Sequence, residues 1–416
     1  ERLVRHNPNP YDGEPFYLLG CTLEKLERYE EAYAAYHKAI WNAAWQVAGY
    51  FALARLDCRA RRWHRALGNV DHCLARNASH RQARHLKAVL LRLLGRQDEA
   101  KSLVDHWLAA DPLQPGLVCE RFKSEHRGEA APCVRGDKRD DQHSCIELAL
   151  DYAAAGLYEP AKDVLEQYLQ SADQQPETAI VFYLLADWYG SAGDDQRAEA
   201  LLQSAADYRP DYCFPNRLEE IGPLARATQR SAADAKAPYY LGNLWYDRRQ
   251  YELAIGCWEQ SRQRNPAFAT VWRNLGLAYF NKRHDAEAAW QALSEAFRLD
   301  DTDARVLFEL DQLAKRLGHP PQRRLDRLAQ HPALVEHRDD LSLEYVTLLN
   351  VLGDHQQALK YVLARKFHPW EGGEGKVPAQ YTLCLTQLAR KSIAACDLDA
   401  ALDWLQRAGD WPHSLG

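Results

Sequence analysis

Three alanines, Ala32, Ala66 and Ala100, stand 34 residues apart, and each is preceded twelve residues earlier by a small residue, Gly20, Ala54 or Ala88. A period of that length fits one pair of antiparallel helices per unit. Two helices approach closely only where neither carries a bulky side chain at the contact, so a small residue recurs at the same two places in every unit. The fold implied is a stack of helix pairs. Such a stack is a shape for holding other molecules, and its repeats carry no chemistry of their own.

The first unit opens on Phe16-Tyr17-Leu18-Leu19-Gly20, and Ala32, Tyr36 and Ala39 line one face of its second helix at i, i+4 and i+7. The second unit centres on Ala66, Val70 and Cys73, and the third stops at Pro112. Residues 1–112 therefore read as one sub-array. The period fails over 113–142, where Lys123 to Glu129 is polar and charged, and this stretch is expected to be an irregular link. A second sub-array, 143–210, carries the pairs Ala149/Ala161 and Ala186/Ala198, each twelve apart, with a 37-residue step between them.

A further irregular link is expected over 211–234, with Pro215 and Pro223, and a third sub-array over 235–318. There Gly242 pairs with Ala254, and Trp272, Leu275-Gly276 and Tyr279 pair with Ala288 or Ala289. A Trp, a Leu-Gly and a Tyr at these places resemble the helix A signature of the tetratricopeptide repeat (TPR). Residues 319–416 read as degenerate helix pairs around Val346/Ala358 and Ala401. The expected fold is all-α, a tetratricopeptide-repeat right-handed superhelical solenoid of about nine or ten helix pairs, with no strand.

The composition is that of an ordinary globular chain, 46% hydrophobic and 26% charged. No apolar run approaches the roughly 20 residues needed to span a bilayer. With 52 basic and 58 acidic residues intermixed, the chain lacks the basic face that nucleic acid requires. Glu1 to His6 shows no apolar signal core, so a cytoplasmic protein is expected. Methionine is absent, the initiator included, which suggests a fragment of a longer chain, and any missing methionine would slip the repeat register by one. The ten cysteines lack short paired spacings and read as reduced, largely core thiols, such as Cys21, Cys73 and Cys257.

Chemistry is expected first in the loop 367–377, where Gly372, Gly373 and Gly375 free the backbone while His368, Trp370, Glu371, Glu374 and Lys376 offer stacking and hydrogen bonds. It is not a phosphate loop, because Trp370 stands where the first glycine belongs and Val377 replaces the hydroxyl residue. An ordered turn packed on a neighbouring helix is the plainer alternative. Cys119, His126, Cys133, His143 and Cys145 are separated by six, six, nine and one residues, which matches no standard zinc site, and neither a metal nor a cofactor is expected. Most aromatics, among them Trp41, Trp45, Tyr50 and Phe51, should be core, while Tyr239, Trp245 and Tyr246 are candidates to line a peptide groove. Asp300-Asp301 and Asp339-Asp340 are expected at helix starts, where acids favour the dipole. No nucleophile motif is present, so no catalytic residue is assigned.

Asn274-Leu275-Gly276-Leu277-Ala278-Tyr279-Phe280-Asn281-Lys282, Arg305 to Leu313 and, above all, Phe367-His368-Pro369-Trp370-Glu371-Gly372-Gly373-Glu374-Gly375-Lys376-Val377 resemble a family of large bacterial cytoplasmic proteins. Its members join an N-terminal galactose-mutarotase-like β-sandwich to a long TPR region. The resemblance implies that these residues form the C-terminal half and that the context is carbohydrate metabolism. It implies no catalytic residue. The expected function is an interaction scaffold that docks to the upstream carbohydrate-binding domain of its own polypeptide, and to a partner peptide, through a few aromatic and arginine anchors. The alternative is that the 367–377 loop, through Trp370, Glu371 and Glu374, completes a composite carbohydrate-processing site. Oligomerisation through exposed helix faces is compatible with either.

Overall fold

The computed structural model describes residues 12–125, 142–171, 178–210, 213–368, 373–410 and 412. Among the described residues all regular structure is helical. Two compact units divide the chain, Glu1–Ser231 and Ala232–Gly416.

In the first unit, α1 (Glu14–Lys25) pairs with α2 (Tyr29–Ala39), α3 (Gln46–Arg59) with α4 (Trp63–Arg76), and α5 (Arg81–Leu93) with α6 (Gln97–Ala110). After α7 (Pro115–Glu125), α8 (Gln142–Ala154) pairs with α9 (Tyr158–Ser171) and α10 (Ile180–Ser191) with α11 (Asp195–Asp207), and α12 (Ile221–Arg230) follows. The second unit pairs α13 (Lys236–Asp247) with α14 (Tyr251–Arg264) and α15 (Ala269–Ala278) with α16 (Ala286–Leu299). Next come α17 (Ala304–Arg316), α18 (Pro321–Ala329) and α19 (Pro332–His337). The pairs α20 (Asp339–Val351) with α21 (His355–Leu363) and α22 (Lys376–Ala394) with α23 (Leu398–Ala408) complete it.

The small residues found in the sequence sit where the helices of a pair meet. Ala32, Ala54, Ala66, Ala88, Ala149, Ala161, Ala198, Ala254 and Ala358 are all buried. At three places even a methyl is too large: a Cβ on Gly20 would lie 2.6 Å from the Tyr36 ring, on Gly242 2.5 Å from Trp258, and on Gly276 2.7 Å from Leu293. Each pair turns through one residue in the left-handed region. These are Glu27, Arg61, Arg249, His284 and Cys396, together with Gly95, Gly156, Gly193 and Gly353, and Gly318 makes a tenth turn of the same kind between α17 and α18. Aspartate commonly opens the second helix, as at Asp194, Asp285, Asp354 and Asp397, whose carboxylates accept an amide hydrogen three residues on.

One pair departs from this pattern. In the other turns the chain closes with a bond from an amide to the carbonyl five residues back, as from Arg62 to Asp57 and Gln250 to Trp245. After α15, a π turn over Tyr279–Arg283 makes the amide of Asp285 reach six residues back, to Tyr279. One extra residue has entered. The small partner of Gly276 is therefore Ala289, thirteen residues on and fully buried, while Ala288 is half-buried.

Both segments expected to be irregular are helical in part. Within 113–142, α7 buries Leu117 and Cys119 and packs on α5 and α6, and within 211–234, α12 buries Pro223, Leu224 and Ala227 against α10. Pro223 falls in the first turn, where its missing N–H is an orphan in any case. Trp41, expected in the core, is 75% exposed, whereas Trp45 stacks on Tyr17 with ring centroids 4.9 Å apart.

A polar cluster lies where α5, α7 and α8 meet. Glu120, buried, accepts from Arg92 Nε at 2.7 Å and from the Tyr152 hydroxyl at 2.6 Å. Burial works against its charge, but the Arg92 guanidinium outweighs it and holds the carboxyl below its ordinary range. The neighbouring His85 ring stands edge-on to Tyr152 at 4.7 Å, and burial pushes its pKa down to about 4. Asp151, accepting from Gln82 Nε2 at 2.6 Å, is pushed up to about 6, by burial first and by Glu147 second.

Gly20→Ala should lower the stability of the first unit by about 1–3 kcal/mol through overpacking, while Gly68→Ala in α4, where nothing lies within 4 Å, should raise it by up to about 1 kcal/mol. Urea unfolding followed by circular dichroism measures both. The raised pKa of Asp151 favours the folded state while the carboxyl is protonated. That contribution is complete below about pH 4 and is lost as the pH rises through about 6. Asp151→Asn keeps the acceptor for Gln82, so it should stabilise the first unit by on the order of 2 kcal/mol at about pH 8 and by little at about pH 4 in melting experiments.

Candidate functional site

The glycine-rich loop is anchored at both ends by apolar side chains. Phe367 and Val377 are buried in one cluster with Val346, Leu359, Val362 and Tyr381, which draws on α20, α21 and α22. Asp339, at the start of α20, fixes the entry to the loop. Its carboxylate accepts the backbone N–H of His368 at 2.8 Å, lies 3.3 Å from His368 Nδ1 and pairs with the Arg365 guanidinium. Arg365 also lies over the Phe367 ring, 4.8 Å from its centroid. Gly375, at φ 69°, turns the chain into α22.

Of the five loop residues singled out, His368, Glu374 and Lys376 are exposed, whereas Trp370 and Glu371 lie outside the described residues. His368 is held by Asp339, a partner 29 residues away that the sequence did not suggest. Asp339 and Asp340 do open α20, as expected of acids at a helix start, although neither carboxylate caps it, whereas Asp300 closes α16 instead of opening α17. Asp339 spends its carboxylate on the loop, and Asp340 pairs with Arg338 at 2.6 Å. Asp300 accepts from Thr302 within the turn, and the N-cap of α17 is Asp303.

The three aromatics proposed for a groove separate by environment. Tyr239 is 7% exposed and packs against Tyr240 and Phe268 at 5.3 and 4.8 Å, so it belongs to the core. Trp245 and Tyr246 are half-buried. Tyr246 sits between Tyr251 and Trp258, with ring centroids 5.1 and 5.3 Å away, and Lys282 Nζ lies 3.9 Å from the Tyr251 centroid and 5.9 Å from that of Tyr246. The exposed Leu253 and the polar Asn281 border the same place, a shallow cleft of about 400 Å³. Arg283 ties the π turn down by pairing with Glu252 at 2.8 Å and Glu259 at 3.1 Å. This ledge brings together two rings, one cation and an apolar edge.

Burial pushes the thiols of Cys73 and Cys257 up to about 11 and that of Cys58 to about 12. Cys119 and Cys145 are buried, His143 lies against Arg217, and His126 and Cys133 fall outside the described residues. Among the described residues no group of three or more His, Cys, Asp or Glu is placed to hold a metal, and no helix is long and apolar enough to cross a membrane.

Comparison with known proteins agrees with the helix pairs. Residues 14–40 and 239–304 each match the tetratricopeptide repeat family. The chain carries tetratricopeptide repeats. The 239–304 match spans α13 to α16 and so includes the Tyr246–Tyr251–Lys282 ledge. Among solved structures the chain is similar to yeast Tom70, at 12% identity over 96% of this chain and 92% of that one, with a TM-score of 0.27. The P58(IPK) TPR domain is 13% identical over 91% of this chain and 99% of its own, with a TM-score of 0.28. A structure of Pseudomonas aeruginosa pilF is 21% identical over 54% and 89%, with a TM-score of 0.30.

The Asp339 anchor is open to a direct test. Asp339→Ala should leave the repeats folded and raise the hydrogen-exchange rate of the His368 amide at least about tenfold, since that amide loses its acceptor.

Proposed function

We propose that this chain is a protein-interaction scaffold whose second unit captures a polypeptide on the ledge formed by Tyr246, Tyr251 and Lys282. The observation that carries the reading is this ledge inside a tetratricopeptide-repeat pair: partly exposed aromatic rings beside a lysine that no carboxylate among the described residues engages, next to the exposed Leu253. Aromatic anchors with an adjacent cation supply most of the energy of such contacts, and the remaining surface supplies fit. The partner proposed is the upstream carbohydrate-binding domain of the same polypeptide, implied by the family resemblance, with a separate partner peptide as the other occupant. The setting proposed is bacterial, cytoplasmic and concerned with carbohydrate metabolism.

A second reading rests on the loop. His368 is exposed and held against the Asp339 carboxylate, and Glu374 and Lys376 reach solvent from the same segment. Imidazole and carboxylate groups of this kind suit sugar hydroxyls, so the loop is proposed to complete a composite carbohydrate site when the upstream domain is present.

Isothermal titration of this chain with the upstream domain, with and without a panel of simple sugars, separates the two. A scaffold gives sugar-independent binding that weakens at least about tenfold in Tyr251→Ala. Sugar-dependent binding that is lost in His368→Ala and kept in Tyr251→Ala selects the composite site. Absence of binding to that domain removes it as partner and leaves an outside peptide.

A further inference from the structure

In the first unit, three of the turns between paired helices come together around one arginine. Arg59, in the last turn of α3, reaches Tyr29 at the start of α2 and Tyr158 at the start of α9. Its Nη2 donates to the Tyr29 hydroxyl at 2.8 Å and to the Tyr158 hydroxyl at 3.1 Å, and its Nη1 donates to the Ala153 carbonyl at 3.1 Å. The guanidinium also lies over both rings, 4.6 Å from the Tyr29 centroid and 5.7 Å from that of Tyr158. Gly156 makes room for it: a Cβ there would stand 2.9 Å from Arg59 Cγ, and the φ of +74° disfavours any other residue.

Two features of this arrangement are incomplete. The first is charge. Arg59 is half-buried, yet among the described residues no carboxylate comes within ion-pairing distance of it, although a cation removed from water is ordinarily paired. The neighbouring Arg62 differs, lying 3.1 Å from Asp57 and 3.8 Å from Glu30. The second is hydrogen bonding. The hydroxyls of Tyr29 and Tyr158 both accept from Arg59, so each must turn its own O–H elsewhere, and neither finds an acceptor among the described residues. Tyr33, by contrast, accepts from Arg65 at 2.8 Å and donates to Asp57 at 3.3 Å. Both loose ends face one cleft of about 300 Å³, with Leu56 and Tyr33 as further walls. That volume is at the lower end of the range for small-molecule sites.

We infer that the Tyr29–Arg59–Tyr158 cleft binds the carboxylate of a small organic acid. Each carboxylate oxygen accepts one phenolic O–H, the single negative charge matches the single unpaired guanidinium behind them, and the organic body lies on Leu56 and the Tyr33 ring. A phosphate dianion fits less well, since one arginine leaves a charge unmatched and Glu30 stands at the rim. The site is independent of the ledge in the second unit.

The test is a titration of the intact chain with benzoate, acetate, inorganic phosphate and a glutamate-containing peptide, followed by NMR of the arginine side-chain N–H groups. The expected result is saturable binding of benzoate, tighter than acetate, that shifts the Arg59 resonance. Tyr29→Phe and Tyr158→Phe keep the ring that packs on Arg59 and remove only the O–H, so each should weaken benzoate about tenfold while the melting temperature holds. Four results would overturn the inference: no saturation up to tens of millimolar benzoate, unaltered affinity in the double phenylalanine variant, preference for phosphate, or preference for the peptide.

Discussion

The contact between a residue with almost no side chain and the helix that follows it is the constraint on which this structure depends. Gly20 against Tyr36, Gly242 against Trp258 and Gly276 against Leu293 let paired backbones approach until a bulky side chain of the second helix rests on the first. Once that distance is set, the turn must reverse the chain in very few residues. A left-handed position is then unavoidable, and it is occupied by glycine in half of the turns and by Glu27, Arg61, Arg249, His284 and Cys396 in the rest. Non-glycine residues tolerate that conformation at a cost of about 1–2 kcal/mol, so packing must hold them there. Local strain in the turns is thus sustained by long-range burial between the helices.

The π turn after α15 shows how tightly that contact is kept. An extra residue between the two helices has to go somewhere, and the close approach of Gly276 to Leu293 leaves no room for it in the interface. It is taken up at the rim, where the chain widens over Tyr279–Arg283 and Asp285 bonds six residues back. Lys282 belongs to the widened stretch and rests on Tyr251, while Arg283 secures it to Glu252 and Glu259. A π bulge is costly in hydrogen-bond geometry and is found mostly where a side chain must be re-aimed. Here it aims a lysine at two tyrosines of the preceding pair.

What the sequence disclosed and what it concealed divide along range. Spacing within one repeat was legible: the small residues twelve apart are buried as the period required, and Gly375 does sit at a turn. Spacing did not decide between Ala288 and Ala289, because the inserted residue leaves no mark on composition. The helix α7 was hidden behind Pro115, Gly116 and a run of charges, one of which, Glu120, is buried through Arg92, 28 residues earlier. Tyr239 and Tyr246 share one helix face pattern, yet Phe268 from the following repeat covers the first and leaves the second partly open. The Asp339 anchor of the loop and the Tyr158 contact of Arg59 are likewise long-range, 29 and 99 residues distant, and no local pattern records them.

Arginine usage gives the arrangement its internal standard. Along both units, arginines reach roughly one repeat along the chain to a carboxylate: Arg55 to Glu24, Arg92 to Glu120, Arg197 to Glu166, Arg273 to Glu309 and Arg283 to Glu252. Where burial is deepest the compensation is fullest, as at Arg324, held by Asp311 at 2.6 Å and Glu344 at 2.9 Å. The reason is that a guanidinium withdrawn from water recovers its hydration only through fixed acceptors of opposite charge. Arg59 departs from this pattern, as do Arg84 over Trp107 and Arg327 over Trp290: phenols and a carbonyl satisfy the Arg59 donors and, among the described residues, no carboxylate meets its charge. A departure of that kind is stable because the cation rests against two aromatic faces, whose quadrupoles return part of the lost solvation. It leaves the cleft electrically unfinished, and the cheapest completion is an anion bearing two oxygens.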